Sequence, residues 1–129
     1  MKYLGIDYGD KRVGVAVSDE TGKLAFPLVV LENKGDLVGK VLEVIGEEKI
    51  EGVVVGESLN SDGRPNIIQK DIDEFCANLK AKSNLPVMME QEFWTSVQAK
   101  SITGENAMHD ASAAAIILQS YLDRTQRVI

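Results

Sequence analysis

The chain is predicted to fold as an α/β protein built on a five-stranded mixed sheet flanked by helices. Three observations predict it. From Lys2 to Leu31 three short apolar runs follow one another with only turn-forming residues between them. After Leu31, strand-like runs alternate with stretches of helical periodicity, and strands separated by helices pair in parallel through right-handed crossovers. The run centred on Val53-Val54-Val55 is apolar throughout and flanked by glycines, the pattern of a strand buried on both faces.

Each element has its own signal. Lys2 to Asp7 is short and mostly apolar, and Gly9 follows closely, so it reads as a strand entering a turn. From Arg12 to Ser18 the residues alternate strictly: Val13, Val15 and Val17 point one way, Gly14, Ala16 and Ser18 the other. Asp19 to Gly22 has the composition of a hairpin turn. Leu24 to Leu31 is a third strand, which Pro27 assigns to a sheet edge because proline cannot donate to a ladder.

The period then changes. Leu37, Val38, Val41, Leu42, Val44 and Ile45 fall on one helical face. Ile50 to Gly56 is the fourth strand. Asn66 and Gln69 have capping-box spacing, and Ile68, Ile72, Phe75, Cys76 and Leu79 form a second helical stripe. Leu85 to Met89 is a fifth strand. Thr95 and Gln98 repeat the capping-box spacing and begin a third helix, and a last helix runs from Asp110 to Asp123. The predicted order is βββαβαβαα, with strand one near the centre of the sheet and strand four beside it.

The 129 residues, 44% hydrophobic and 26% charged, have an ordinary globular composition and are read as one domain, 1–129. No secretory signal or membrane-spanning run is evident, and the single Cys76 cannot form an internal disulfide, so the expected setting is reduced and cytoplasmic. The net charge of −6 argues against a broad phosphate-binding surface. It does not exclude nucleic acid, since binding follows local potential and bound cations.

Functional groups in such sheets gather at the carboxyl ends of the strands. Asp7 ends the first strand; a carboxylate there is poorly placed for packing and well placed to hold a metal ion. The plainer alternative is a turn-forming Asp bonded to its own backbone. Glu92 and its neighbour Glu90 follow the fifth strand and emerge at the same edge; the alternative is a pair of solvated loop acids. Asp110 precedes a small-residue helix start, where it either caps the helix or comes close to the strand ends, since the alanines after it allow the helix to lie near the sheet. Carboxylates meeting at one edge repel one another unless a cation is present. Hard oxygen ligands select Mg²⁺ or Mn²⁺. Two such ions roughly 4 Å apart activate a water and stabilise the leaving oxygen in phosphodiester cleavage. His109, the only histidine, adjoins Asp110 and is a weaker candidate as proton donor. Lys11 and Arg12, just past Asp7, and Asn60 and Arg64, in the polar loop after strand four, are candidate contacts to a nucleic-acid backbone. A hairpin decoration and a helix-entry loop are the structural alternatives.

These residues resemble a known family. Gly5 to Asp19 (GIDYGDKRVGVAVSD) is similar to the opening motif of the YqgF family. The loop from Val53 through Gly63, with Asn60 and Asp62, resembles its second motif. Glu92 with Thr95, Ser96 and Ala99 resembles its Asp-Glu-Arg-Leu-Thr-Thr-x-x-Ala segment, and Asp110 with Ala113, Ala114, Ile117, Leu118, Gln119, Tyr121 and Leu122 its closing motif. The resemblance covers nearly the whole chain. It implies an RNase H-like fold, a metal-dependent nuclease site of Asp7, Glu92 and Asp110, and a substrate that is either branched DNA at a Holliday junction or the 5′ end of precursor 16S rRNA. The chain departs from the pattern at Gln91 (Asp in the family), Phe93 (Arg) and Glu57 with Ser58 (Leu-Pro). Two other readings compete. A non-catalytic nucleic-acid or ribosome-binding module would explain the acidic charge and the altered Gln91–Phe93 segment. An actin-like ATPase shares the Asp-x-Gly turn after strand one but needs a second domain and further phosphate loops. The sequence sets no oligomeric state.

Overall fold

A computed structural model of the chain describes residues 1–9, 11–57, 69–91 and 107–125, with side chains throughout except at 57, 69, 91 and 107–110. The elements are β1 (Tyr3–Tyr8), β2 (Arg12–Ser18), β3 (Ala25–Glu32), α1 (Leu37–Glu48), β4 (Gly52–Glu57), α2 (Gln69–Ser83), β5 (Val87–Gln91) and α3 (Ala107–Thr125). The five strands form one sheet in the order β3-β2-β1-β4-β5. β1 is central, antiparallel to β2 and parallel to β4, and β4 is parallel to β5. This is the mixed sheet that the patterning predicts, with strand four beside strand one.

Two cores form because both faces of the sheet are covered. On one face Leu4, Ile6, Val13, Val15, Val53 and Val55 pack with Leu37 and Val41 of α1 and Ile72, Phe75 and Leu79 of α2. On the other, Ala16 and Val54 pack with Ala114, Ile117, Leu118 and Leu122 of α3. The alternation in β2 and the triple valine of β4 thus feed opposite cores by the period of two. α3 lies close: a Cβ on Gly5 would stand 2.7 Å from Leu118 Cβ and 3.0 Å from the Ala114 carbonyl oxygen. Glycine on the strand and alanine on the helix make that approach sterically possible.

The edge strand β3 carries Pro27 as expected, and an irregularity: Val15 pairs with Val29 and Ala16 with Pro27, leaving Leu28 as an extra residue. The start of β3 is covered by Gln119 of α3, whose Oε1 accepts from the Ala25 N–H (2.9 Å) and whose Nε2 donates to the Lys23 carbonyl (2.8 Å). The hairpin turn forms as predicted. Asp19 accepts from Thr21 Oγ1 (2.6 Å) and from the N–H groups of Lys23 (2.8 Å) and Leu24 (3.2 Å). These bonds, led by that of Thr21, hold its carboxyl at about 2.

Element ends differ from expectation in places, two of them with a visible cause, and one helix has an unexpected cap. β5 begins at Val87, not Leu85. Asn84 turns the chain in the left-handed region (φ 59°), and the Pro86 carbonyl receives the Val53 N–H (3.0 Å), so the strand starts two residues later than expected. α1 opens on a cap the patterning did not single out: Asp36 Oδ1 accepts from the Gly39 N–H at 3.0 Å. α3 begins at Ala107, three residues before Asp110. No proline or glycine separates the two positions, so the helix extends past Asp110, which stands in its first turn and is not its N-cap. Asn66 and the helix expected to begin at Thr95 lie outside the described residues. Among the described residues, no helix is long and apolar enough to cross a membrane.

Candidate active site

Asp7 is the penultimate residue of β1. Its face follows from its neighbours: Leu4 and Ile6 enter the α1/α2 core, whereas Gly5 meets α3. Asp7, two residues from Gly5, therefore belongs to the α3 face. It pairs with Gly14 of β2. On its other side Ile6 pairs with Val55, which brings Gly56 of β4 beside it, and Gly56 pairs in turn with Glu90 of β5. A row runs across the carboxyl end of the sheet: Gly14, Asp7, Gly56, Glu90. Two glycines flank Asp7, so neither neighbouring strand places a side chain over it.

α3 runs antiparallel to β1 on this face. Tyr121 stacks edge-on against Tyr3 (5.8 Å between centroids), and Leu118 and Ala114 meet Gly5. From Ala114 back to Asp110 is one helical turn, about 6 Å at 1.5 Å per residue. From Gly5 to Asp7 is about 6.6 Å along the strand. The first turn of α3, with Asp110 in it, thus comes level with Asp7. The side chains of Asp110 and His109 lie outside the described residues, as does Glu92; β5, which Glu92 follows, ends at this same edge. Among the described residues, no group of three or more acidic, His or Cys side chains is placed to hold a metal ion. Asp7 thus stands in a glycine-flanked slot at the edge of the sheet where α3 begins, with Asp110 in the first turn of that helix.

Glu90, considered beside Glu92 as a candidate, is committed elsewhere. It is 8% exposed. Its Oε2 accepts from Ser120 Oγ at 3.1 Å and its Oε1 from Arg124 Nη2. That bond raises the Arg124 pKa, already high. Cys76 is half-buried, with Sγ 3.8 Å from Met89 Sδ; burial, then Asp73, raises its thiol to about 11, which excludes a thiolate nucleophile at neutral pH.

Lys11 and Arg12 stand where the reading expects them, exposed at the turn between β1 and β2. Asn33, a residue the sequence did not flag, holds this turn from outside. Its Nδ2 donates to the Gly9 carbonyl (2.8 Å) and its N–H to the Lys11 carbonyl (2.9 Å). The turn is tight: a Cβ at Gly9 would stand 2.4 Å from the Arg12 carbonyl oxygen. Asn60 and Arg64 lie outside the described residues. On the opposite face of the sheet, a cleft of about 240 Å³ opens between Tyr8, Asn33, Asp36, Asp71, Glu74 and Phe75. Its three carboxylates repel phosphate, so nucleic acid is not expected there.

A family model described as "RuvX: Holliday junction resolvase" matches residues 1–124. The chain belongs to the RuvX family. This is the YqgF family that the motifs resemble. Among its relatives, a protein of Nitratidesulfovibrio vulgaris named "Putative pre-16S rRNA nuclease" is 39% identical over 133 residues, covering 95% of this chain and 94% of that protein. One of the same name from Paraburkholderia xenovorans is 40% identical over 129 residues, covering 93% and 86%. The chain also superposes on solved structures. Thermus thermophilus RuvC in complex with Holliday junction substrate matches with TM-score 0.62 and 21% identity, over 97% of this chain and 96% of that one. The fowlpox virus resolvase in complex with Holliday junction DNA matches with TM-score 0.64 and 12% identity, over 98% and 100%. At these identities the likeness establishes the fold, which is RNase H-like.

Proposed function

We propose that this chain is a divalent-metal-dependent nuclease acting on structured nucleic acid, with Asp7, Glu92 and Asp110 as the metal-holding carboxylates. The observation that carries the reading is the placement of Asp7 between two glycines at the carboxyl end of β1, level with the first turn of α3 and Asp110. Acidic oxygen donors suit Mg²⁺ or Mn²⁺. Such an ion, when bound, supplies an activated water and neutralises charge on the scissile phosphate. The chain's own residues do the rest. Lys11 and Arg12 hold the backbone of the substrate beside Asp7, in a turn that Asn33 fixes, and Asn60 and Arg64 add contacts from the loop after β4. The positive end of α3 faces the same edge and favours phosphate over solvent anions of lower charge.

For the substrate we favour precursor 16S rRNA, because relatives 39–40% identical over nearly the whole chain carry that name. Branched DNA is the second reading, favoured by the family's description. The substitutions at Gln91 and Phe93 leave the three carboxylates in place and remove one arginine, a change expected in substrate affinity and not in the chemistry. The test is a panel of labelled precursor rRNA, junction DNA and single strands, incubated with Mg²⁺ or Mn²⁺. Metal-dependent cleavage of the precursor rRNA is expected. Binding with no cleavage under either metal would replace the nuclease reading with that of a non-catalytic nucleic-acid-binding module.

A further inference from the structure

Glu90 is the only buried charged side chain among the described residues, and it has no part in the chemistry proposed for the site. Burying a carboxylate is costly unless it is paired and hydrogen-bonded. Both oxygens are: Oε2 by Ser120 and Oε1 by Arg124. These partners lie four residues apart, one above the other on a single stripe of α3. The Arg124 guanidinium also stands over the Tyr121 ring at 5.5 Å, and that ring rests on Tyr3 of β1. Glu90 therefore grips α3 at two points along its length, from a strand two places away from Asp7 in the same row of the sheet.

Such a grip matters most for the end of the helix near Asp7, whose own packing fixes its roll least; further along, Ile117, Leu118 and Leu122 pack in the core and Gln119 bonds to the start of β3. The buried residues at that end are Ala111, Ala113 and Ala114, of which Ala114 packs with Ala16 and meets Gly5, and small side chains interlock little. At a helix surface about 5–6 Å from the axis, a roll of roughly 20° moves a side chain by about 2 Å. A misplacement of about 1 Å is enough to disable a catalytic group.

We propose that Glu90 is a positioning residue: through Ser120 and Arg124 it sets the roll of α3 on the sheet, and with it the placement of Asp110 against Asp7. The inference rests on the metal-site reading. It predicts an effect on metal affinity from two residues that touch no metal.

The experiment measures Mn²⁺ affinity by calorimetry and thermal unfolding without metal, for the wild-type chain, Glu90→Gln and Arg124→Lys. Glu90→Gln keeps the shape and removes the charge; Arg124→Lys keeps the charge and removes the planar fork and its stacking on Tyr121. The expected result is Mn²⁺ binding weakened by roughly 5–10-fold in Glu90→Gln, at the low end of what changes outside the ligand shell cost, with Arg124→Lys intermediate. Lower melting temperatures with unchanged Mn²⁺ affinity would overturn the proposal, leaving Glu90 a support of the fold alone. Should Glu90→Gln fail to fold, Arg124→Lys decides by the same criterion. A wild-type chain that binds no Mn²⁺ would remove the metal-site reading and this inference with it, an outcome distinct from variants that bind as wild type does.

Discussion

Gly5→Ala adds one methyl group where α3 crosses the centre of the sheet, and its consequences can be worked from the distances. The new Cβ would stand 2.7 Å from Leu118 Cβ and 3.0 Å from the Ala114 carbonyl oxygen. Carbon atoms rest at about 3.5–4.0 Å, so the helix must retreat by roughly 1 Å. Neither obstacle is a flexible side-chain tip; one is a Cβ and the other is backbone. Overpacking of this kind costs about 1–3 kcal/mol. For a chain of this size that is a drop in melting temperature of roughly 4–12 °C. The same retreat carries the first turn of α3 away from Asp7, so metal-dependent cleavage should fall by about 100-fold, more than the stability loss accounts for. Differential scanning calorimetry reads the first effect, and single-turnover cleavage at a temperature where the variant is folded reads the second. A Gly5→Ala protein that melts with the wild type would refute the close approach of α3. One that melts lower yet cleaves normally would refute the link between that approach and the site.

Other expectations follow from the contacts. Gln119→Ala removes two hydrogen bonds at the start of β3 and should cost about 1–3 kcal/mol in urea unfolding. It also uncovers the edge backbone, so concentration-dependent association by light scattering should increase. Asn33→Ala frees the Gly9 carbonyl and loosens the turn bearing Lys11 and Arg12; nucleic-acid binding by anisotropy should weaken severalfold while Mn²⁺ affinity holds. The Asp19 carboxyl is held at about 2, below its ordinary 3.8. A depressed folded-state value gives stability that is complete above the unfolded-state value and lost as pH falls through the folded one. Asp19→Asn should therefore flatten the stability profile between about pH 4 and pH 2, and an unchanged acid limb would mean that its hydrogen bonds do not persist in solution.

How much of this was legible depends on whether a residue's role is local. β2 and β4 were readable because burial on a sheet has a period of two, and Val13 to Val17 and Val53 to Val55 display it without interruption. The place of Asp7 near the end of the central strand was readable because an apolar run leads into it and Gly9 follows closely. Pro27 marked its own edge. The register that places glycines on both sides of Asp7 was not readable, since Gly14 and Gly56 look like turn or bulge signals until the pairing is known. The grips of Gln119 on Ala25, of Asn33 on Gly9 and of Arg124 on Glu90 join positions 94, 24 and 34 residues apart. A single sequence carries no signal for such pairs. The start of the last helix was placed three residues late, because an Asp before a run of small residues has the composition of a cap; the three residues before it continue the helix. The fold was therefore set out by patterning, while the geometry of the site came from packing between distant segments.

The central claim, that Asp7 is a metal-holding carboxylate of a nuclease, is tested most directly by cleavage of precursor rRNA by Asp7→Asn protein in saturating Mn²⁺, beside the wild type prepared in parallel. The substitution keeps the shape of the side chain and removes its charge, in a slot where neither flanking strand supplies a replacement. The expected result is a folded protein with turnover lowered by at least about 100-fold. Cleavage at the wild-type rate would show that the activity resides elsewhere, and would leave the slot between Gly14 and Gly56 without a catalytic role.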